Sequence, residues 1–167
     1  MSRELLLLRH AKSSWDDAGL SDMERGLNHR GRRNAPRMGL ALSDRLAAQP
    51  IYVSPAKRAQ LTLGGLQDGW PALQSLPHVT EDALYTFDYH DLVAWLRSRD
   101  DAEQSVFMIG HNPAFTDLVN WIAGSVVLDN LPTAGFARLT LAIGAWTSLD
   151  GGCGSLVETV FPRSLDR

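Results

Sequence analysis

The sequence predicts an α/β fold, a three-layer α/β/α sandwich whose central sheet is mostly parallel with one antiparallel strand near the end. Three observations carry this. Leu5 to Leu8 is an unbroken aliphatic run, as expected of a strand covered on both faces by helices. Strand-like and helix-like segments then alternate along most of the chain. Residues 136–143 and 155–161 close it as a terminal hairpin around Asp150-Gly151-Gly152.

Each element follows from a local pattern. Between Gly31 and Ala48, the residues Ala35, Met38, Leu42 and Leu46 recur at spacings of three and four. This predicts an amphipathic helix with Pro36 in its first turns, where a missing N–H costs least. Ile51-Tyr52-Val53, β-branched and aromatic, predicts a short strand closed by Ser54-Pro55. A helix is expected from Pro55 to Leu66, weakened at its end by Gly64 and Gly65 and broken by Asp68-Gly69 and Pro71. His78 to Thr80 reads as another short strand, and Leu92, Trp95 and Leu96 give the next helix a buried stripe. Ser105 to Ile109 is a second buried strand, followed at once by Gly110-His111-Asn112-Pro113. Phe115, Leu118, Val119 and Ile122 mark a helix that ends at Gly124. There is no internal repeat, low-complexity stretch or linker, so residues 1–167 are expected to form one domain.

Composition bounds the function. With 167 residues, 44% hydrophobic and 21% charged, the chain can bury a sizeable core and is not of disordered type. No apolar run approaches the roughly 18 residues of a membrane-spanning helix, so no membrane partner is expected. The lone Cys153 cannot close an intramolecular disulfide, and Leu5 to Leu8 is too short for a signal-peptide core. A cytoplasmic location is the expectation. The net charge of -3 divides unevenly: residues 1–58 hold eleven Lys/Arg against six Asp/Glu, and residues 59–167 hold five against thirteen. A basic N-terminal third within an acidic protein suits a local anion site rather than a nucleic-acid groove. Arg30, Arg32, Arg33 and Arg37 read equally well as a solvated helix face.

In a sheet of this kind, ligands bind beyond the carboxyl ends of the strands. Three polar clusters fall there: Arg9-His10, Ser54-Pro55-Ala56-Lys57-Arg58 and Gly110-His111-Asn112-Pro113. Two arginines and two histidines are expected to converge. A guanidinium is permanently charged and matches two phosphoryl oxygens at once. A neutral imidazole whose other nitrogen donates to a carbonyl presents a lone pair that can attack phosphorus. The arginines supply the positive charge, so no metal is needed. His29, His78 and His90 have no partners at ligand spacing, and Gly151-Gly152-Cys153-Gly154 lacks the strand-then-helix setting of a nucleotide-binding loop. No metal or cofactor is therefore expected.

These blocks carry a resemblance. Arg9-His10-Ala11-Lys12-Ser13 after an aliphatic strand resembles the opening motif of the histidine phosphatase (phosphoglycerate mutase-like) superfamily. Ser54-x-x-x-Arg58, with Gln60 and Thr62 beyond it, and Gly110-His111-Asn112-Pro113 are similar to its other two blocks, in the right order. Several details are similar to the phosphohistidine phosphatase, SixA-type, branch. Ala11 replaces a third-position glycine, Lys12 follows, and Trp15-Asp16 comes soon after. Asp22-x-x-Arg25-x-Leu27-Asn28-x-x-Gly31 and Leu131-Pro132-Thr133-Ala134-Gly135 also match that branch, while Gly26 stands where relatives often have proline.

The resemblance spans residues 5–135 and implies a phosphoglycerate mutase-like fold. It implies that His10 is a nucleophile forming a covalent phosphohistidine. Arg9, Arg58 and His111 would hold the phosphoryl group, with a hydroxyl from Ser13. Larger relatives protonate an alkoxide leaving group with a carboxylic acid; Glu81 is the candidate here, with Asp82, Asp16 and Asp17 as competitors. The expected substrate is phosphohistidine on a protein, received in an open shallow groove and releasing inorganic phosphate. Such a substrate relaxes the need for an acid, because imidazolium has a pKa of about 6.5 and neutral imidazole leaves readily. A phosphatase for a small phosphorylated metabolite and a non-catalytic phosphoprotein-binding module stay open as alternatives.

Overall fold

The computed structural model describes residues 1–166. Six strands among them form one sheet: β1 (Arg3–Arg9), β2 (Tyr52–Val53), β3 (Val79–Thr80), β4 (Ser105–Gly110), β5 (Phe136–Leu141) and β6 (Gly154–Val160). Their order is β3-β2-β4-β1-β5-β6. The four strands β3, β2, β4 and β1 run parallel, and β5 is antiparallel to both β1 and β6. The one reversed strand is thus β5, in the terminal hairpin.

Four α-helices cover the sheet: α1 (His29–Ser43), α2 (Lys57–Gly69), α3 (Tyr89–Arg97) and α4 (Ala114–Ala123). The alternation of side chains along β1 sorts them into layers. Leu5 and Leu7 pack with Leu92, Leu96, Phe115 and Leu118 beneath α3 and α4. Leu6 and Leu8 pack with Met38, Leu42 and Leu66 beneath α1 and α2. Burying each such leucine stabilises the fold by about 1.5–3 kcal/mol. This is why the run is aliphatic without interruption: both faces of β1 are interior.

Helix boundaries depart from the sequence pattern for identifiable reasons. Helix α1 begins at His29, before the first apolar repeat, because the Asn28 side chain caps it by accepting from the Gly31 N–H at 2.8 Å. It ends at Ser43 and not at Ala48, yet Leu46 still packs on the core from the turn beyond. The early start places Pro36 in the helix interior, where Arg32 loses its intrahelical partner. Helix α2 runs through Gly64-Gly65 to Gly69. Gly65 and Gly69 are there for contact with α1: a Cβ on Gly65 would lie 2.5 Å from that of Ala35 and one on Gly69 would lie 1.9 Å from the Pro36 carbonyl oxygen, while on α1 a Cβ on Gly39 would lie 2.3 Å from the Leu66 carbonyl oxygen. The two backbones touch.

The segment between β1 and α1 folds back across the carboxyl edge of the sheet. Ser13 and Leu27 form an isolated antiparallel bridge, the Ser14 N–H donates to the Gly26 carbonyl at 2.8 Å, and the Asn28 N–H donates to that of Lys12 at 2.9 Å. Gly26 is therefore held by pairing where relatives often use proline. This hairpin-like flap brings Asp22 over the N-terminus of α2.

Candidate active site

Three strand ends bring the expected residues together. Arg9 is the last residue of β1 and pairs in register with Gly110 of β4. His10 follows it and donates its backbone N–H to the Gly110 carbonyl at 3.0 Å. Ser54 follows β2 and donates its N–H to the Ile109 carbonyl at 3.0 Å, so the β2 and β4 ends are level. Arg58 stands in the first turn of α2, and His111 directly follows β4.

Hydrogen bonds fix both imidazole tautomers. His10 Nδ1 lies 2.7 Å from the Ala11 carbonyl oxygen. A carbonyl only accepts, so Nδ1 carries the proton and Nε2 keeps its lone pair. Arg58 Nε donates to that Nε2 over a long 3.4 Å. Arg58 Nη2 also reaches His111 Nδ1 at 3.3 Å. A guanidinium only donates, so His111 carries its proton on Nε2 and gives it to Ser54 Oγ at 2.7 Å. Ser54 thus orients the second histidine, and it is fully buried.

The loop after His10 is itself braced. The Ala11 N–H donates to Thr62 Oγ1 at 2.9 Å, and that hydroxyl donates to the Arg58 carbonyl at 2.7 Å. On the other side, Ala134 takes a left-handed φ of 58° and its N–H meets the carbonyls of Arg9 and His10 at 3.1 and 3.0 Å. Arg9 Nη1 donates to the Leu131 carbonyl at 3.0 Å, while its buried Nε has no partner among the described residues. These contacts give Thr62 and the Leu131 to Gly135 block physical reasons to be there.

The electrostatics follow from this packing. His10 is 7% exposed and His111 1%. Burial pushes the His10 pKa down to about 4, aided by the charges of Arg58 and Arg9 against the opposing pull of the Ala11 hydrogen bond. Burial, then the neighbouring His10 and Arg58, push His111 down to about 3. Both rings are neutral near pH 7. Burial and Arg58 likewise lower the Arg9 pKa, the mark of two cations held close together.

One carboxylate reaches this cluster, and sequence reasoning gave it no site role. Asp22 Oδ2 accepts from Arg58 Nη2 at 2.9 Å and from the Tyr85 hydroxyl at 2.5 Å, and its carbonyl accepts from Arg58 Nη1 at 2.7 Å. Partial burial raises its pKa, but the Tyr85 hydrogen bond and Arg58 outweigh this and hold it below the usual carboxylate range. The same bond is the main reason the Tyr85 hydroxyl is raised. Tyr85 and Phe87 then flank His111, with ring centroids at 5.4 and 5.7 Å. Asp22 opens the motif that runs to Gly31, but its partner Arg58 is 36 residues away and only the folded flap joins them.

The remaining candidates stand apart. Glu81 ends next to β3, and its side chain accepts from the Ala83 N–H at 3.4 Å; it makes no hydrogen bond or ion pair to Arg9, His10, Arg58 or His111. Ser13 is half-buried in its bridge with Leu27, and its hydroxyl makes no hydrogen bond to those four. Asn112 accepts from the Thr116 N–H at 3.1 Å and donates to the Leu131 carbonyl at 2.9 Å, so it shapes the loop and the start of α4. Arg30, Arg32 and Arg33 are exposed on α1, and Arg37 pairs with Asp166 at 2.6 Å. His78 is structural, bonded to the Ile51 N–H and the Leu73 carbonyl. Trp15 is 64% exposed and lies over the Arg25 guanidinium at 3.9 Å. Among the described residues no three His, Cys, Asp or Glu side chains are grouped to hold a metal ion, and no helix is long and apolar enough to cross a membrane.

The arrangement is a cationic cluster with one imidazole lone pair, suited to a tetrahedral oxyanion. The model of the histidine phosphatase superfamily (branch 1) matches residues 5–108. Among solved structures, a proposed phosphohistidine phosphatase SixA from Agrobacterium tumefaciens is 25% identical with a TM-score of 0.80, covering 96% of this chain and 98% of that one. Its counterpart from Nakamurella multipartitia is 22% identical with a TM-score of 0.78, covering 97% of each chain. The protein histidine phosphatase SixA complexed with tungstate is 23% identical with a TM-score of 0.76, covering 98% of this chain and 99% of that one. An uncharacterised chloroplast protein of Arabidopsis thaliana is 28% identical over 158 residues, 87% of this chain and 70% of that protein. The chain belongs to the histidine phosphatase superfamily and has the fold of the SixA phosphohistidine phosphatases.

Proposed function

We propose that the protein is a phosphatase that removes the phosphoryl group from phosphohistidine on another protein, through a covalent phosphohistidine on His10. One observation carries the reading: His10 Nδ1–H is anchored on the Ala11 carbonyl, which leaves Nε2 as a neutral nucleophile beside Arg58 and His111. The lowered His10 pKa keeps that lone pair available at neutral pH.

Two displacements follow. His10 Nε2 forms a bond to phosphorus as the bond from phosphorus to the substrate nitrogen breaks, and the electron pair stays on that nitrogen. The ring departs as neutral imidazole, its proton already on the other nitrogen. Arg9, Arg58 and His111 Nδ1, once it gains a proton from solvent or substrate, face the equatorial oxygens as charge spreads over them. Water then attacks phosphorus, the P–Nε2 bond breaks, and inorganic phosphate leaves with the proton shared between phosphate and solvent. A SixA of the same fold was solved with tungstate, which shares phosphate's tetrahedral shape.

The carboxylates favour a P–N substrate over an alkyl ester. Asp22 is held ionised by Arg58 and Tyr85, and Glu81 is turned onto the Ala83 amide, so neither is set to protonate an alkoxide. The test compares phosphate release from a phosphohistidine-bearing protein with release from a panel of phosphorylated metabolites, using wild type and His10→Ala. Faster release from the protein substrate, abolished in His10→Ala, is expected. Full activity in that variant would overturn the mechanism, and preference for a metabolite would overturn the substrate.

A further inference from the structure

Phe87 is held at the site by a rigid turn yet left half in water. It lies between the 3-10 turn Asp82–Leu84 and α3. Tyr85 before it is tied to Asp22, and Thr86 Oγ1 donates to Asp91 Oδ2 at 2.7 Å while accepting from the Asp88 N–H at 3.1 Å. One edge of the Phe87 ring meets His111 at 5.7 Å and Tyr85 at 5.8 Å, both in edge-to-face geometry. The rest is open: Phe87 is 48% exposed, against 1% for His111 beneath it. An apolar ring fixed in that way has lost its freedom without gaining full burial.

In-line displacement decides what the open part of this ring meets. His10 attacks from the buried floor, so the leaving group departs from the opposite, solvent side of phosphorus. Phe87 is the solvent-open ring packed on His111, at 5.7 Å, and His111 in turn lies 5.2 Å from the His10 ring, so it is the aromatic surface that a group leaving toward solvent would meet. Charge sharpens the selection. Residues 81–91 carry Glu81, Asp82, Asp88 and Asp91 and no lysine or arginine. A leaving group bearing further phosphates or carboxylates is repelled there, whereas a flat neutral or cationic ring is accepted by the aromatic face and by the acidic surround.

We propose that Phe87 forms the leaving-group subsite, selecting a flat aromatic leaving group such as imidazole through contact with its exposed ring. This rests on the phosphohistidine reading above. Two small substrates with the same type of bond isolate the effect: N-phosphoimidazole, which releases a ring, and phosphoramidate, which releases ammonia. The readout is the ratio of their kcat/KM values for wild type, Phe87→Leu and Phe87→Tyr. Phe87→Leu keeps a bulky cover over His111 and is expected to lower the ratio about fivefold, the scale of one aromatic pair. Phe87→Tyr keeps the ring and should hold the wild-type ratio within about twofold, which guards against a general packing defect. A ratio unchanged in Phe87→Leu, or lowered equally in Phe87→Tyr, overturns the subsite while leaving the phosphatase reading intact. Wild type that hydrolyses neither compound overturns the subsite, and the phosphatase reading falls with it only where a phosphohistidine-bearing protein is not hydrolysed either.

Discussion

Arg58 is the residue on which the site turns. Its guanidinium donates to Asp22 through both Nη atoms, to His10 through Nε and to His111 through Nη2. With the Ala11 carbonyl and the Ser54 hydroxyl it holds the direction of both rings, and its charge adds to the burial that keeps them unprotonated. Arg9, His10, Arg58 and His111 were legible in the sequence because each sits at the end of a recognisable strand or in the first turn of a helix. Asp22 was not, since its contact depends on how the thirteen flap residues between Ser13 and Leu27 fold, and that segment has no periodicity to read. Glu81 shows the opposite case: a carboxylate at a plausible position whose side chain turns to a nearby amide.

The buried imidazoles also make stability depend on pH. An unfolded chain binds these protons near pH 6.5, but the folded protein resists them until about pH 4 at His10 and about pH 3 at His111. Between those limits the unfolded state holds more protons, so stability is full above pH 6.5 and declines as the pH falls. Urea unfolding across pH 7 to 4 is expected to show a shallower loss in His10→Gln than in wild type. Equal slopes would mean that the fold does not hold His10 neutral.

At the scale of elements, α1 and α2 cross in backbone contact at Gly39 and Gly69, and the first turn of α2 carries Arg58. The glycines of α2 read as a weak helix end in sequence, because helix propensity counts only what glycine lacks. In the fold, Gly69 is where the α1 backbone passes, and Gly64 meets nothing within 4 Å. The two should respond oppositely. Gly69→Ala forces the helices apart against a backbone oxygen and is expected to cost about 1–3 kcal/mol. Gly64→Ala should add roughly 0.5–1 kcal/mol by removing a helix-interior glycine. Chemical denaturation of both variants checks this, and a destabilising Gly64→Ala would contradict the packing account. The Asn28 cap was within reach of sequence reasoning, but apolar periodicity starts later and masked it.

Across the whole molecule, sheet order does the work of assembly. Placing β4 between β1 and β2 brings side chains that are 48 and 101 positions from His10 to one edge, and the reversed β5 returns Ala134 to brace the same loop. The aliphatic run, the strand-helix alternation and the polar strand ends made this architecture legible. The rim of the site was less so, because Tyr85 and Phe87 lie on an irregular turn positioned only by tertiary contacts. The most direct test is the chemical site of the trapped phosphoryl group. Nitrogen-phosphorus correlation by NMR on the phosphoenzyme should place phosphorus on Nε2 of His10, since Nδ1 is committed to the Ala11 carbonyl. Phosphorus on Nδ1 of His10, on any other residue, or on no residue at all would contradict the account.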